Sequence, residues 1–148
     1  MPLTDKEMAV IFKADAGQYM IAAEDLRSDE NSIRLVAPTY FLRSHAIELL
    51  LKACLLAKGW TLDDCQYELG HKLDKAFGEA EKVGLIVSAQ TRQTILTLSP
   101  LHKDYTFRYR PNKSKPYSFP NQTVATDAVA DLFDKVHAIV SAECLAKP

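Results

Sequence analysis

The segment TYFLRSHAIELLLKACLLAKG, residues 39–59, constrains the fold of this chain more than any other part. At about 100° per residue of an α helix, most of its surface is apolar and its polar side chains share one narrow stripe. The stripe contains Ser44, His45, Glu48 and Lys52. A helix that is apolar on nearly all sides must be surrounded by other helices, so the segment predicts the central helix of an all-α bundle.

The same segment does not fit a membrane span. Arg43, Glu48 and Lys52 divide it into apolar stretches of a few residues, whereas a transmembrane helix needs roughly 18 apolar residues in a row. Lys58 and Gly59 then end the helix, because a cation is favourable at the negative end of the helix dipole and glycine adopts the left-handed cap. We therefore expect the helix to lie inside a globular domain.

Helical spacing also marks the start of the chain. Thr4 and Glu7 match a capping box, which predicts a first helix that is either continuous or divided near Gly17. The residues between this helix and the central one include an extended link over 33–38, which ends at Pro38 because proline disfavours helix in the residue before it.

Further helices are predicted after the central one. The segments are a polar connection at 61–69, a helix over 71–83, a shorter helix from Ser88 or Thr91 to about Leu98, and a last helix that Asn121 caps. Pro100 should follow the shorter helix, since proline inside a helix removes a hydrogen bond. The sequence thus predicts a single all-α domain over residues 1–148, an up-and-down bundle of four or five helices with one long irregular loop over 99–120.

Composition and cysteine spacing exclude several kinds of chemistry. Cys54, Cys65 and Cys144 are widely separated and lack the paired spacing of a zinc site or a redox motif. Residues 1–6 reach charged side chains before any apolar run, so they lack the apolar core of a secretory signal. We expect a cytoplasmic protein with reduced thiols and without a metal or cofactor.

Residues 101–120, LHKDYTFRYRPNKSKPYSFP, differ most from the rest of the chain. The formal net charge is -1, yet between residues 103 and 115 five cations accompany one anion, Asp104, which leaves +4 here and -5 elsewhere. The cations are Lys103, Arg108, Arg110, Lys113 and Lys115, and the aromatics among them include Tyr105 and Tyr109. Guanidinium groups bind phosphate oxygens in pairs and aromatic rings stack on unpaired bases, so this pattern predicts binding of RNA or a nucleotide.

The basic segment also has a plainer interpretation. Charged loops are often only solvated surface, and large aromatic rings often pin a loop to the body of a protein. Arg108 and Arg110 would then point outward or pair with acidic side chains. The sequence alone leaves both interpretations open.

Three stretches together resemble the HEPN domains of prokaryotes. They are RSHAIELLLKACLLAKG, LGHKLDKAFGEAEKVGL and YTFRYRP ahead of a final amphipathic helix. The matching residues are Ala46, Glu48 and Lys52 for the family's A-x-E-x-x-x-K pattern and His71 and Leu73 for its H-x-L helix. The resemblance implies a homodimer-forming helical bundle that binds RNA or nucleotides in a defence or toxin–antitoxin setting. It also leaves open a non-catalytic adaptor whose partner is a nucleotidyltransferase.

Ribonuclease members of this family carry an R-x4–6-H motif that the chain lacks. The spacings from Arg34 to His45 and from Arg92 to His102 are too long. Whether the protein is an enzyme is therefore open. For a metal-independent ribonuclease, the candidate pair is His102 as acid or base and Arg108 as the transition-state clamp. A second candidate site combines the polar stripe with the histidine of the next helix, and comprises His45, Glu48, Lys52 and His71.

Overall fold

The protein is described by a computed structural model that covers residues 1–28, 32–103 and 119–145. These residues contain six α helices and no strand, which confirms the predicted all-α bundle. The helices are α1 (Asp5–Ser28), α2 (Val36–Ala57), α3 (Leu62–Asp64), α4 (Leu73–Lys82), α5 (Ala89–Lys103) and α6 (Gln122–Cys144). None of these described helices has the length and apolarity needed to cross a bilayer.

The central helix of the bundle is α2, as its composition predicts. It packs against α1, α4, α5 and α6. Leu50, Leu51 and Leu55 have no exposed surface, and burial extends to the polar residues Glu48 and Lys52 on the same helix. Because a buried charge is costly unless it is paired, Glu48 and Lys52 must find their partners inside the bundle.

Side-chain caps fix the starts of three helices. The Thr4 amide donates to Oε2 of Glu7 at 2.7 Å, and the Glu7 amide donates to Oγ1 of Thr4 at 3.1 Å. This is the predicted capping box, and the helix that it begins continues through Gly17 without a break. Asn121 accepts hydrogen bonds from two amides at the start of α6, and Ser88 accepts one at the start of α5.

Two connections predicted as non-helical are helical in the structure. The expected extended link ending at Pro38 is replaced by a 3-10 turn, Ser32–Leu35, and the first turn of α2. Proline is tolerated there because amides in the first turn have no partner within the helix. The expected polar connection at 61–69 contains α3 and a π-helical turn, Cys65–Leu69.

The prediction that the loop begins at residue 99 is also wrong, because α5 runs through Pro100 to Lys103. Tertiary contacts hold this last turn. Oγ of Ser99 accepts from the Asp74 amide at 3.0 Å and lies 3.1 Å from Oδ1 of Asp74. His102 is held by a carboxylate of α2. These bonds offset the hydrogen bond that proline removes from the helix. The rest of the predicted loop, residues 104–118, lies outside the described residues.

Candidate functional site

Glu48 is the buried centre of a polar cluster. Its Oε1 accepts hydrogen bonds from Nδ1 of His71 at 2.8 Å and from Nε2 of His102 at 2.9 Å. Its Oε2 lies 3.3 Å from Nζ of Lys52, one helical turn further along α2. Glu48 and Lys52 are only 5% and 8% exposed. We refer to Glu48, Lys52, His71 and His102 as the Glu48 cluster.

Three distant segments of the chain bring the Glu48 cluster together. The i,i+4 spacing on α2 places Glu48 and Lys52 on one face. Gly70 follows the π-helical turn with a φ of 52°, a left-handed conformation that favours glycine, and His71 comes directly after it. His102 lies in the last turn of α5. The site therefore depends on how α2, α4 and α5 pack.

The cluster keeps Glu48 ionised far into the acid range. Burial alone would raise the pKa of this carboxyl group, but the hydrogen bond from His102, the charge of Lys52 and the hydrogen bond from His71 outweigh burial. The pKa of Glu48 falls from 4.5 to about 2. At neutral pH Glu48 is an acceptor only, so each histidine must donate an N–H to it.

His45 lies beside the Glu48 cluster and is packed between aromatic rings. Its ring meets the ring of Tyr19 edge-on at 4.6 Å between centroids and stacks with that of Phe41 at 6.0 Å. Burial lowers the pKa of His45, although the negative charge of Glu48 opposes this shift. His45 thus belongs to the packing around the site, whereas the other three members of the predicted polar site meet in the cluster.

The predicted phosphate-binding residues fall mostly outside the described part of the chain. Lys103 is exposed at the end of α5. The remaining members, Tyr105, Arg108, Tyr109, Arg110, Lys113 and Lys115, lie within residues 104–118. Of the candidate ribonuclease pair, His102 is buried in the Glu48 cluster with 3% exposure, and Arg108 lies outside the described residues. The pairing of His102 with Arg108 stays a prediction.

Both flanks of segment 104–118 are attached to α2. On one side, His102 bonds to Glu48. On the other side, Phe119 stacks on Tyr40 with 5.0 Å between ring centroids, and the Tyr40 hydroxyl donates to the carbonyl oxygen of Pro120. Tyr40 and Glu48 are eight residues apart, roughly 12 Å along a helix axis. The described residues on either side of segment 104–118 are therefore held by the same helix, α2.

Arg43 organises a second polar group that the sequence did not reveal. Its Nη2 lies 3.0 Å from Oε1 of Glu24 and 3.2 Å from Oε1 of Gln122. Burial raises the pKa of Glu24, but hydrogen bonds from Thr126 and Arg43 and the arginine charges outweigh it and leave the pKa lowered. Arg43 is 2% exposed and joins α1, α2 and α6, which indicates a structural role. The sequence showed Arg43 as a charged residue within an apolar segment and did not indicate its partners.

The Glu48 cluster supports two kinds of chemistry. A carboxylate that holds one imidazole nitrogen fixes the tautomer and orientation of the ring, the arrangement used in general acid–base catalysis. The His71 side chain is 48% exposed and is the member that reaches solvent. The ligand atoms of Glu48, His71 and His102 also lie within 4.8 Å of one another, which is the donor set of a metal site.

Comparison with known proteins gives no match to a family model, a curated protein or a solved structure. The resemblance to HEPN domains therefore stays a prediction from the quoted residues.

Proposed function

We propose that the protein binds single-stranded RNA through the basic and aromatic residues between Lys103 and Lys115. The observation that carries this proposal is the attachment of both flanks of the segment to α2, by His102 to Glu48 and by Phe119 to Tyr40. Fixed flanks limit where the segment between them can lie, and restricting a binding segment in advance reduces the conformational cost of binding.

The charge distribution favours an anionic ligand at this place. The segment from 103 to 115 carries +4 in a chain whose net charge is -1. The adjacent Glu48 cluster adds no net repulsion for phosphate, because the charge of Lys52 balances that of Glu48. Lys103, the first cation of the segment, is exposed at the end of α5 and directly follows His102 of the cluster.

The aromatic residues make an unpaired strand the best ligand. Tyr105 and Tyr109 alternate with Arg108 and Arg110, and an aromatic ring can stack on any base for about 1 to 3 kcal/mol. Duplexes hide their bases from such stacking. The HEPN resemblance supports RNA as the ligand, and on the same resemblance we include a homodimer in the proposal.

The Arg108→Ala/Arg110→Ala variant tests this function directly. Binding of a fluorescein-labelled single-stranded RNA of mixed sequence is measured by anisotropy over a series of salt concentrations. The plot of log K against log salt has a negative slope, and each lost phosphate contact should make this slope less steep by about 0.7. The slope of the double variant should therefore be less steep by about 1.4, and the variant should bind at least about tenfold more weakly.

The matched control removes two cations elsewhere, Lys82 on α4 and Lys135 on α6, whose side chains are both more than half exposed. Lys82→Ala/Lys135→Ala changes the net charge by the same amount and should leave the affinity within about twofold, since distant exposed charges are screened. Equal weakening of both variants, or binding that does not depend on salt, would contradict a site in segment 103–115.

A further inference from the structure

We propose that Glu48, His71 and His102 form a binding site for a divalent transition metal ion, with Zn²⁺ as the best fit. The three residues come from α2, from the turn before α4 and from the end of α5. Within the described residues, they are the group whose histidine and carboxylate ligand atoms converge, all within 4.8 Å of one another. The proposal is independent of RNA binding and goes beyond it.

The distances in the cluster are close to those of a zinc site. Oε1 of Glu48 lies 2.8 Å from Nδ1 of His71 and 2.9 Å from Nε2 of His102. Ligand atoms at about 2.0 to 2.2 Å from a tetrahedral ion are about 3.3 to 3.6 Å from one another. An ion would therefore fit between the three side chains if each hydrogen bond opened by roughly half an ångström and the two histidine nitrogens, which lie within 4.8 Å of each other, took a similar separation.

The donor types select the class of metal. Two imidazole nitrogens and one carboxylate oxygen suit zinc and neighbouring transition metals, whereas Ca²⁺ and Mg²⁺ take mainly oxygen ligands. With an ion bound, His71 and His102 each carry their proton on the other ring nitrogen. Each neutral imidazole therefore changes its tautomer and does not have to lose a proton when the ion binds.

Lys52 defines how Glu48 would bind the ion. Its Nζ lies 3.3 Å from Oε2, the oxygen that neither histidine contacts. Lys52 therefore holds Oε2 and leaves Oε1 for the metal, an outer-shell contact of the kind that orients metal-binding carboxylates. Glu48 would bind through one oxygen only.

Exposure shows how an ion would enter. The side chains of Glu48 and His102 are 6% and 2% exposed, whereas that of His71 is 48% exposed. An ion would reach the site past His71. Three protein ligands leave a fourth tetrahedral position for water or an anion, which is the pattern of zinc sites that are not purely structural.

The test is calorimetric titration of the chelator-treated full chain with ZnCl2. The wild-type protein should bind one ion per chain with a dissociation constant in the micromolar range or below. His71→Ala should weaken binding at least tenfold, and its fold should persist because the side chain is half exposed; circular dichroism checks this point. His137→Ala, which removes an exposed histidine of α6 outside the cluster, should bind zinc as the wild type does.

The cysteines provide a second check on the assignment. Replacing Cys54, Cys65 and Cys144 singly by serine should leave zinc binding unchanged if the imidazoles and Glu48 are the ligands. Absence of binding to the wild type, undiminished binding to a folded His71→Ala variant, or loss of binding in a cysteine variant that circular dichroism shows to be folded would each overturn the proposal.

Discussion

Replacing Glu48 with alanine is expected to lower the free energy of unfolding by about 3 to 5 kcal/mol, the range for breaking a buried ion pair. The substitution leaves the ammonium group of Lys52 buried without its partner and removes the acceptor of His102. Both groups are less than a tenth exposed, so water cannot replace the lost bonds without entering the bundle. Urea denaturation at pH 7 with a chelator present measures the loss.

Two variants separate this effect from a general cost of removing a glutamate. Glu79→Ala breaks an exposed ion pair with Lys82 on α4 and should cost less than about 1 kcal/mol. Adding Lys52→Met to Glu48→Ala removes the orphaned charge and should recover at least about 1 kcal/mol, because an apolar side chain can replace a buried charge. A Glu48→Ala cost as small as that of Glu79→Ala would mean that the cluster is open to water.

Lowering the pH should reduce the free energy of unfolding of the wild type by a similar amount, because Glu48 becomes protonated. The pKa of this carboxyl group is about 2 in the folded protein against an ordinary 4.5. A lowered pKa means that the unfolded chain binds more protons between these values, so the contribution is complete above the unfolded pKa and is lost as pH falls through the folded one. The difference corresponds to about 3 kcal/mol, lost between roughly pH 5 and pH 2.

Glu48→Gln isolates this contribution, because glutamine keeps the shape of the side chain but does not titrate. The wild-type free energy of unfolding minus that of the variant, measured by urea denaturation at several pH values, should shrink by about 3 kcal/mol over that range. If the two proteins lose stability in parallel, the acid sensitivity lies in other groups.

The helix ends and the central helix could be predicted from the sequence because they depend on residues that are close together in the chain. The capping box of Thr4 and Glu7 and the cap at Asn121 need only neighbouring residues, and the apolar surface of α2 needs only helical periodicity. The prediction that the helix ends before Pro100 was wrong, although proline has a low helix propensity. The contacts of Ser99 and His102 with other helices stabilise the last turn despite the proline, and such contacts cannot be predicted from residue spacing.

Part of the candidate site could be predicted from the sequence. Glu48, Lys52 and His71 were grouped from the stripe and its neighbouring helix, and the structure brings their side chains into contact. His102 was assigned to an irregular loop, so its bond to Glu48 could not be foreseen. Metal-site rules based on short spacings could not find a donor set in which Glu48 and His102 are 54 residues apart.

Histidine side-chain NMR during titration with single-stranded RNA tests the central claim most directly. The claim is that RNA binds beside the Glu48 cluster, where the rings of His71 and His102 are 5.9 Å apart and the basic segment begins at Lys103. The imidazole signals of half-exposed His71 should shift as RNA is added and return at high salt, while those of His137 on α6 stay in place. RNA binding that leaves the His71 signals unmoved, or no RNA binding at all, would contradict the account.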